Sequence, residues 1–199
     1  MTIRVGLTGS MGTGKSTTAT LFAEAGCGIW DADAVVAKLY AKGGKAVNRI
    51  QQQFPTVMME GEVSRERLRT LTEQDSKALE AIEKIVHPLV AEDRQAFLHT
   101  TNKLIAVMEI PLLFENGLES EMDFVVCTAI DATTRSHRLQ SRETMTARQI
   151  ELLLSKQLTE QKKIDRSDFV VVTNTIDNAR AQVAGIVQQI KEDYKRCER

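Results

Sequence analysis

The residues with the clearest chemical meaning lie near the N-terminus, where glycines, a lysine and a serine follow a fixed spacing. Residues 9–16 read GSMGTGKS and match G-x-x-x-x-G-K-[ST] at every fixed position. Glycines let the backbone curl until several N–H groups approach phosphate oxygens, and the helix that follows directs its positive end at the same place. Lys15 can reach the β- and γ-phosphates, and the Ser16 hydroxyl can bind Mg²⁺. We therefore predict a nucleotide site formed by Gly9, Met11, Gly12, Thr13, Gly14, Lys15, Ser16 and Thr17.

A phosphate loop is compatible with kinases, GTPases and motor ATPases, so it does not name a reaction. A GTPase should carry a D-x-x-G switch, and no such pattern occurs in the sequence. Residues 174–177 (NTID) imitate the guanine-reading N-K-x-D, but Thr175 stands where the long lysine stem should cover the base. A GTP-driven switch is therefore disfavoured.

Carboxylates follow two of the apolar segments. Ligands of open parallel sheets bind beyond the carboxyl ends of the strands, and Asp31 and Asp33 come directly after the second apolar run. A kinase acting on a hydroxyl needs a carboxylate to orient the attacking oxygen and take its proton. Asp33 is the favoured base, although either aspartate could instead cap the next helix. Glu109 ends the third apolar run and is a candidate for holding Mg²⁺ through water, or an ordinary acid at a strand end.

Four arginines, at 135, 138, 142 and 148, fall in a short segment near residue 140. Arg138 and Arg142 are four apart and therefore share one helix face. Guanidinium groups suit the charge that spreads over a transferring phosphoryl group. We predict that Arg138 binds the nucleotide and that Arg142 is catalytic; the alternative is a solvated basic helix face.

The elements that must position these residues are short apolar runs separated by helical segments. The runs are continuous rather than alternating, as is typical of parallel strands covered on both faces. Their alternation with helices predicts an open parallel α/β sheet. The predicted strands cover residues 3–7, 27–30, 104–108, 124–129 and 169–172, and the last helix 178–195.

Two helical excursions interrupt this pattern. Residues 35–101 are predicted to form a mostly helical insertion, because apolar residues recur there at helical spacing. Residues 132–166 form the second excursion. The core is then 1–34, 102–131 and 167–199, and no linker rich in Pro, Gly or Ser separates the parts.

Composition and charge narrow the class of protein. The 199 residues carry a net charge of −1, so no global basic field exists to hold nucleic acid. The three cysteines include no CxxC, which argues against a structural zinc site or a disulfide framework and favours a reducing, cytoplasmic setting. The longest apolar stretch, 104–114, contains Glu109 and Pro111 and is shorter than the ~20 residues of a membrane span. We expect no nucleic-acid or membrane partner, and a monomer, with oligomerisation left open.

Several segments in a fixed order resemble the dephospho-CoA kinase family. Together they run from residue 6 to 168 and cover most of the chain. The segments are GLTG at 6–9 leading into the loop, DAD at 31–33, Arg65 followed by LR at 68–69, HP at 87–88, PLLFE at 111–115, RLQSR at 138–142, and Gln157 with Lys163 and Asp168.

The resemblance implies an α/β fold, a P-loop NTPase-type parallel sheet flanked by helices, with a helical acceptor-binding insertion and a small helical lid. It implies transfer of the γ-phosphate of ATP to the ribose 3′-hydroxyl of dephospho-CoA, the last step of coenzyme A biosynthesis, with Mg²⁺. Thr8, Asp33 and Arg142 fall on active-site positions of the family, beside Lys15. The acceptor would be bound by Asp31, Arg65 and His87.

One departure from the family's pattern concerns the nucleotide base. Thr173 occupies a position where the family usually has Asn, Asn174 is one residue late, and no Gly follows. The adenine-side contacts, and the choice of ATP over GTP, therefore stay open. The alternatives for function are a kinase for another small acceptor, such as a nucleoside monophosphate or a sugar acid, and a non-catalytic nucleotide-binding switch. The ~65-residue insertion favours a long acceptor over a small sugar acid.

Overall fold

A computed structural model describes residues 2–141, 154 and 157–197. The chain divides into two compact units, which are described separately. The first comprises Met1–Trp30 with Thr101–Arg199, and the second Asp31–Thr100. The predicted insertion was 35–101. The second unit begins four residues earlier, at Asp31, and ends one residue earlier, at Thr100.

Strands and helices alternate along the chain. In the first unit they are β1 (Ile3–Gly9), α1 (Lys15–Glu24), β2 (Gly28–Asp31), and then, after the second unit, β5 (Ile105–Glu109), a 3₁₀ turn (Leu118–Glu121), β6 (Phe124–Ala129), α6 (Ala132–Gln140), α7 (Glu160–Asp165), β7 (Phe169–Val172) and α8 (Ile176–Cys197). The second unit holds α2 (Ala32–Tyr40), α3 (Val47–Gln53), a 3₁₀ turn (Pro55–Val57), β3 (Met58–Met59), β4 (Glu62–Val63), α4 (Arg65–Gln74) and α5 (Ser76–Thr100).

The first unit is built on a five-stranded sheet in the order β2-β5-β1-β6-β7. β1 pairs in parallel with both β5 and β6, and β6 in parallel with β7. The register places Leu7 opposite Glu109 and Gly9 opposite Thr128, so the phosphate loop leaves the sheet between the carboxyl ends of β5 and β6. The predicted parallel α/β sheet flanked by helices is confirmed.

The apolar runs become strands because both of their faces are covered. Val5, Val107 and Val126 are fully buried, and α1 and α8 contribute to the same core through residues such as Phe22 and Ile190. β2 and β5 lie one residue further along the chain than predicted, because hydrophobicity marks the middle of a buried strand better than its ends. As a result Glu109, predicted to follow β5, is its last residue.

Cys127 of β6 also belongs to this buried interior. Burial raises the pKa of its thiol to about 11, so the group stays protonated and neutral near pH 7. Cys127 is therefore a packing residue rather than a nucleophile.

The second unit is mostly helical, with β3 and β4 forming an antiparallel hairpin. Ser64 begins α4 by accepting a hydrogen bond from the N–H of Arg67, and α5 continues through Pro88. The interior of the second unit is formed by Ile50, Ile82 and other apolar residues. Across both units, within the described residues, no helix is both long enough and apolar enough to cross a bilayer.

Candidate functional site

The phosphate loop joins β1 to α1, and its glycines adopt backbone conformations that other residues rarely take. Gly14 has a φ of +84° and immediately precedes α1. Gly9 has a φ of +149°, and a Cβ placed there would lie 2.2 Å from the hydroxyl oxygen of Thr128. The loop therefore sits directly against β6, and a side chain at Gly9 would displace it.

Two side chains of α1 bring charge and a hydroxyl to the loop. The Lys15 ammonium donates to the carbonyl oxygens of Gly9 at 2.9 Å and of Ser10 at 3.1 Å. The Ser16 hydroxyl donates to a carboxylate oxygen of Glu109 at 2.8 Å. Glu109 is only 7% exposed. The structure thus brings together Ser16 and Glu109, which are 93 positions apart in the sequence.

Oxygen ligands of this kind suit Mg²⁺. The ion prefers oxygen donors, and nucleotide sites commonly use one or two protein oxygens with water and phosphate completing the shell. Ser16 and Glu109 fit that donor set. No group of three or more His, Cys, Asp or Glu side chains able to hold a metal occurs among the described residues. Ser16 and Glu109 thus fit an ion whose other ligands are phosphate and water.

Thr8, at the carboxyl end of β1, is fully buried. Its hydroxyl donates to the carbonyl oxygen of Pro111 at 3.2 Å, and the same oxygen accepts from the Lys163 ammonium at 3.1 Å. Lys163 is also fully buried and forms an ion pair with Glu115 at 3.0 Å. A Glu115 oxygen accepts the backbone N–H of Leu158 as well. This buried cluster ties the PLLFE segment to α7 and to the end of β1.

Removing one charge of this pair should destabilise the fold. Lys163→Met leaves Glu115 without its cation in a site that excludes most water, so we expect a loss of about 3 kcal/mol in the free energy of unfolding, the scale of a broken buried pair. Chemical denaturation measures it. The exposed neighbour Lys162→Met should change stability by less than ~0.5 kcal/mol.

The double variant Lys163→Met with Glu115→Gln provides a further check. It should recover part of the loss, because neither charge is then left alone. Equal stability of Lys163→Met and the parent protein would show that the pair contributes nothing.

A cavity of about 390 Å³ lies beside the loop. Its lining includes Gly14, Thr17, Arg138, Thr173 and Ile176. The Arg138 guanidinium donates to the carbonyl oxygen of Thr173 at 2.9 Å. Ile176 is an exposed apolar side chain, at 57%. An apolar surface, a guanidinium and hydroxyls next to a phosphate loop are suited to a nucleotide base and ribose.

Two side chains from the segment predicted as the lid contact the phosphate loop at Met11. Arg135 donates to the carbonyl oxygen of Met11 at 3.1 Å and pairs with Glu160 at 2.9 Å. The side-chain oxygen of Gln157 accepts the N–H of Met11 at 3.3 Å. Sequence reasoning had grouped Arg135 with the other arginines without assigning it a role. Arg142 and Arg148 lie outside the described residues, as does much of the predicted lid.

The predicted acceptor residues and the predicted base belong to the second unit. The carboxylate of Asp31 accepts from the N–H groups of Asp33 and Ala34 and caps α2, which is the alternative that the sequence left open. Asp33 is an exposed residue in the first turn of α2. Arg65 donates to the carbonyl oxygen of Asp33 at 3.4 Å, and His87 is exposed on α5. The cap does not test a role for Asp31 in acceptor binding.

Sequence reasoning missed Thr128, and it noted Thr173 only as a departure from the family's pattern, without a contact to the loop. Thr128 is the polar, second-to-last residue of the otherwise apolar β6, and Thr173 follows β7; both contact the loop. A threonine at the carboxyl end of an otherwise apolar strand is the signal that could have identified Thr128. Asp168, part of the resemblance, binds the N–H of Val125 at 2.7 Å and thereby supports the strand pairing.

Comparisons with known proteins agree with this geometry. The family model described as dephospho-CoA kinase matches residues 3–178. A dephospho-CoA kinase of Ruegeria pomeroyi is 50% identical over 191 residues, covering 96% of this chain and 97% of that protein. A crystal structure from Thermus thermophilus has a TM-score of 0.85 and 28% identity, covering 94% of this chain and 97% of that one. The dephospho-CoA kinase from Campylobacter jejuni has the same fold, with a TM-score of 0.68, 20% identity, and 98% and 100% coverage. The phosphate loop, its neighbouring carboxylate and a family match that spans almost the whole sequence lead to one conclusion: the chain belongs to the dephospho-CoA kinase family.

Proposed function

We propose that this chain transfers the γ-phosphoryl group of ATP to the ribose 3′-hydroxyl of dephospho-CoA, giving coenzyme A and ADP. The phosphate loop supports this most directly, in a chain that belongs to this family. Lys15 donates to a loop carbonyl, and Ser16 donates to the buried Glu109. The reaction breaks the bond between the β–γ bridging oxygen and the γ-phosphorus. It forms a bond from the acceptor oxygen to the same phosphorus, and the hydroxyl proton leaves to a base.

Loop residues bind the triphosphate in this proposal. The N–H groups of Gly9, Met11, Gly12, Thr13 and Gly14 would surround its oxygens, those of Met11 and Thr13 exchanging their present acceptors, Gln157 and the Ser10 carbonyl, for phosphate. The Lys15 ammonium balances the β- and γ-phosphate charge. Mg²⁺, when bound, would neutralise part of the phosphate charge during transfer. Ser16 would hold the ion, with Glu109 accepting from its hydration shell; Arg138 and Thr17 contact the nucleoside side of the ligand.

Asp33 is proposed as the base that orients the acceptor hydroxyl and takes its proton. Its position just after the carboxyl end of β2, in a family that phosphorylates a hydroxyl, supports this role. Arg142 is proposed to stabilise the charge of the moving phosphoryl group. Thr8 is proposed to fix the segment after β5 through the carbonyl of Pro111. Asp31, Arg65 and His87 are proposed to bind the acceptor.

A panel of acceptors tests the proposal. We expect ADP release in a coupled assay to require both dephospho-CoA and Mg²⁺, and to stop when EDTA removes the metal. AMP, gluconate and shikimate should give much lower rates, because the 31–100 unit offers more surface than a small acceptor needs.

Other outcomes of the panel would point elsewhere. Equal or faster turnover of a small acceptor would replace the substrate assignment. Tight ATP binding without turnover on any acceptor would favour a nucleotide-binding switch. The cytoplasmic location and the monomeric state expected from the sequence both stay predictions. Size-exclusion chromatography with light scattering can test the monomeric state.

A further inference from the structure

Three threonine side chains are buried where the phosphate loop meets the carboxyl ends of β6 and β7. Thr13 belongs to the loop, Thr128 to the end of β6, and Thr173 follows β7. Thr13 and Thr128 are fully buried and Thr173 is 6% exposed. Buried hydroxyls are stable only when hydrogen-bonded, so their partners are informative.

Each hydroxyl of this threonine cluster has partners within hydrogen-bond distance. Thr13 donates to the carbonyl oxygen of Ser10 at 2.8 Å. The Thr128 hydroxyl lies 2.6 Å from the Thr13 hydroxyl, in a bond that either of them can donate, and 3.3 Å from the carbonyl oxygen of Thr8, to which it can also donate. Thr173 donates to the carbonyl oxygen of Thr13 at 2.7 Å, with that of Ala129 further away at 3.3 Å.

Holding a carbonyl also orients an N–H group. A trans peptide is planar and carries its C=O and N–H on opposite sides. The Thr13 hydroxyl holds the peptide between Ser10 and Met11, and the Thr173 hydroxyl holds the peptide between Thr13 and Gly14. With both carbonyls turned toward the cluster, the N–H groups of Met11 and Gly14 are turned away from it, and that of Met11 donates to the side-chain oxygen of Gln157.

Sequence and packing fit the same arrangement. Thr128 touches the loop so closely that a Cβ at Gly9 would lie 2.2 Å from its hydroxyl oxygen. The carbonyl oxygen of Thr173 accepts a hydrogen bond from the Arg138 guanidinium. Since both residues line the neighbouring cavity, Thr173 connects the loop to it. Thr128 is not part of that cavity's lining. A substitution at Thr128 therefore reports on the loop without removing a group from the cavity.

We propose that Thr13, Thr128 and Thr173 are positioning residues that set the phosphate loop in its anion-binding shape. They act through the loop backbone. The Thr13 and Thr173 hydroxyls bind the carbonyl oxygens of Ser10 and Thr13, and the bond with Thr128 restricts rotation of the Thr13 hydroxyl. This deepens the proposed function and rests on it, since it concerns how ATP is bound. The predicted nucleotide role of Thr13 stays a prediction that concerns its backbone N–H, because its hydroxyl bonds Ser10 and Thr128.

The test compares variants that keep shape with variants that keep the hydroxyl. Thr128→Val retains the branched shape and removes the donor, whereas Thr128→Ser retains the donor. We expect Thr128→Val to raise the Kd of ATP and of inorganic tripolyphosphate by about 5- to 10-fold, the scale of one buried hydrogen bond. Thr128→Ser should stay within ~2-fold. The KM of dephospho-CoA should change by less than ~2-fold in both.

Controls separate loop geometry from general stability. Cys127→Ala opens a small cavity one residue earlier in β6, on the opposite side of the sheet. It should lower the melting temperature and leave the Kd of ATP unchanged. Thr173→Val and Thr173→Ser repeat the comparison from the residue after β7 and carry the test if Thr128→Val does not fold; because Thr173 also lines the cavity, inorganic tripolyphosphate is the ligand compared there.

Equilibrium titration without acceptor distinguishes two failures. If the parent protein does not bind ATP, the proposed function fails. If the parent binds ATP but a folded Thr128→Val binds tripolyphosphate equally well, or Thr128→Ser is as impaired as Thr128→Val, the positioning role is wrong.

Discussion

Asp33→Asn is expected to lower the turnover number by about 10²-fold or more, the scale of a lost general base. The amide is nearly isosteric with the carboxylate but accepts a proton far less readily. ATP affinity should stay within a few-fold, because the loop and Lys15 supply the phosphate contacts. Single-turnover kinetics at saturating ATP and acceptor, together with ATP titration, measure the two effects separately.

The control for Asp33→Asn is Glu92→Gln, which neutralises an exposed carboxylate of the same unit that pairs with Lys45. Exposed pairs of this kind contribute little, so turnover and stability should be nearly unchanged. Asp33 lies in the first turn of α2, where an acid favours the helix by about 0.3–1 kcal/mol, so the melting temperature of Asp33→Asn should be recorded as well. Unchanged turnover would mean that another group accepts the proton.

Lys15→Met is expected to lower the turnover number by about 10²–10³-fold, comparable to the loss of a donor that stabilises developing charge. The methionine keeps most of the stem and removes the ammonium, which contacts the loop carbonyls of Gly9 and Ser10. ATP affinity should fall as well, because ground-state phosphate charge is no longer balanced. The maximal rate and the Kd of ATP are the quantities to compare.

Lys103→Met serves as the matched control, since Lys103 is an exposed lysine in the segment before β5. It should leave both the rate and ATP binding unchanged. A Lys15→Met enzyme that binds ATP weakly but reaches the parent's maximal rate at saturation would make Lys15 a ground-state binder without a role in the chemical step.

The local part of the site could be predicted from the sequence. Glycines at 9, 12 and 14 and the Lys-Ser pair lie within eight residues, and their conformational and chemical requirements are met within that segment. Continuous apolar runs separated by helical segments predict the parallel sheet because strands buried on both faces need apolar residues throughout. The capping of α2 by Asp31 was also an alternative that local sequence offered.

Contacts between distant segments were beyond that reasoning. The bond from Ser16 to Glu109, the ion pair of Glu115 with Lys163 and the bond from Thr173 to Thr13 each depend on which strands are neighbours and in what register. Hydrophobic pattern identifies a strand but does not order it within a sheet. Sequence alone thus determined the phosphate-binding chemistry and the α/β architecture, since both follow from short-range patterns. Tertiary structure decided which buried hydroxyls and charges support the loop, because the pairing of β1 with β5 and β6, and of β6 with β7, brings those side chains within bonding distance.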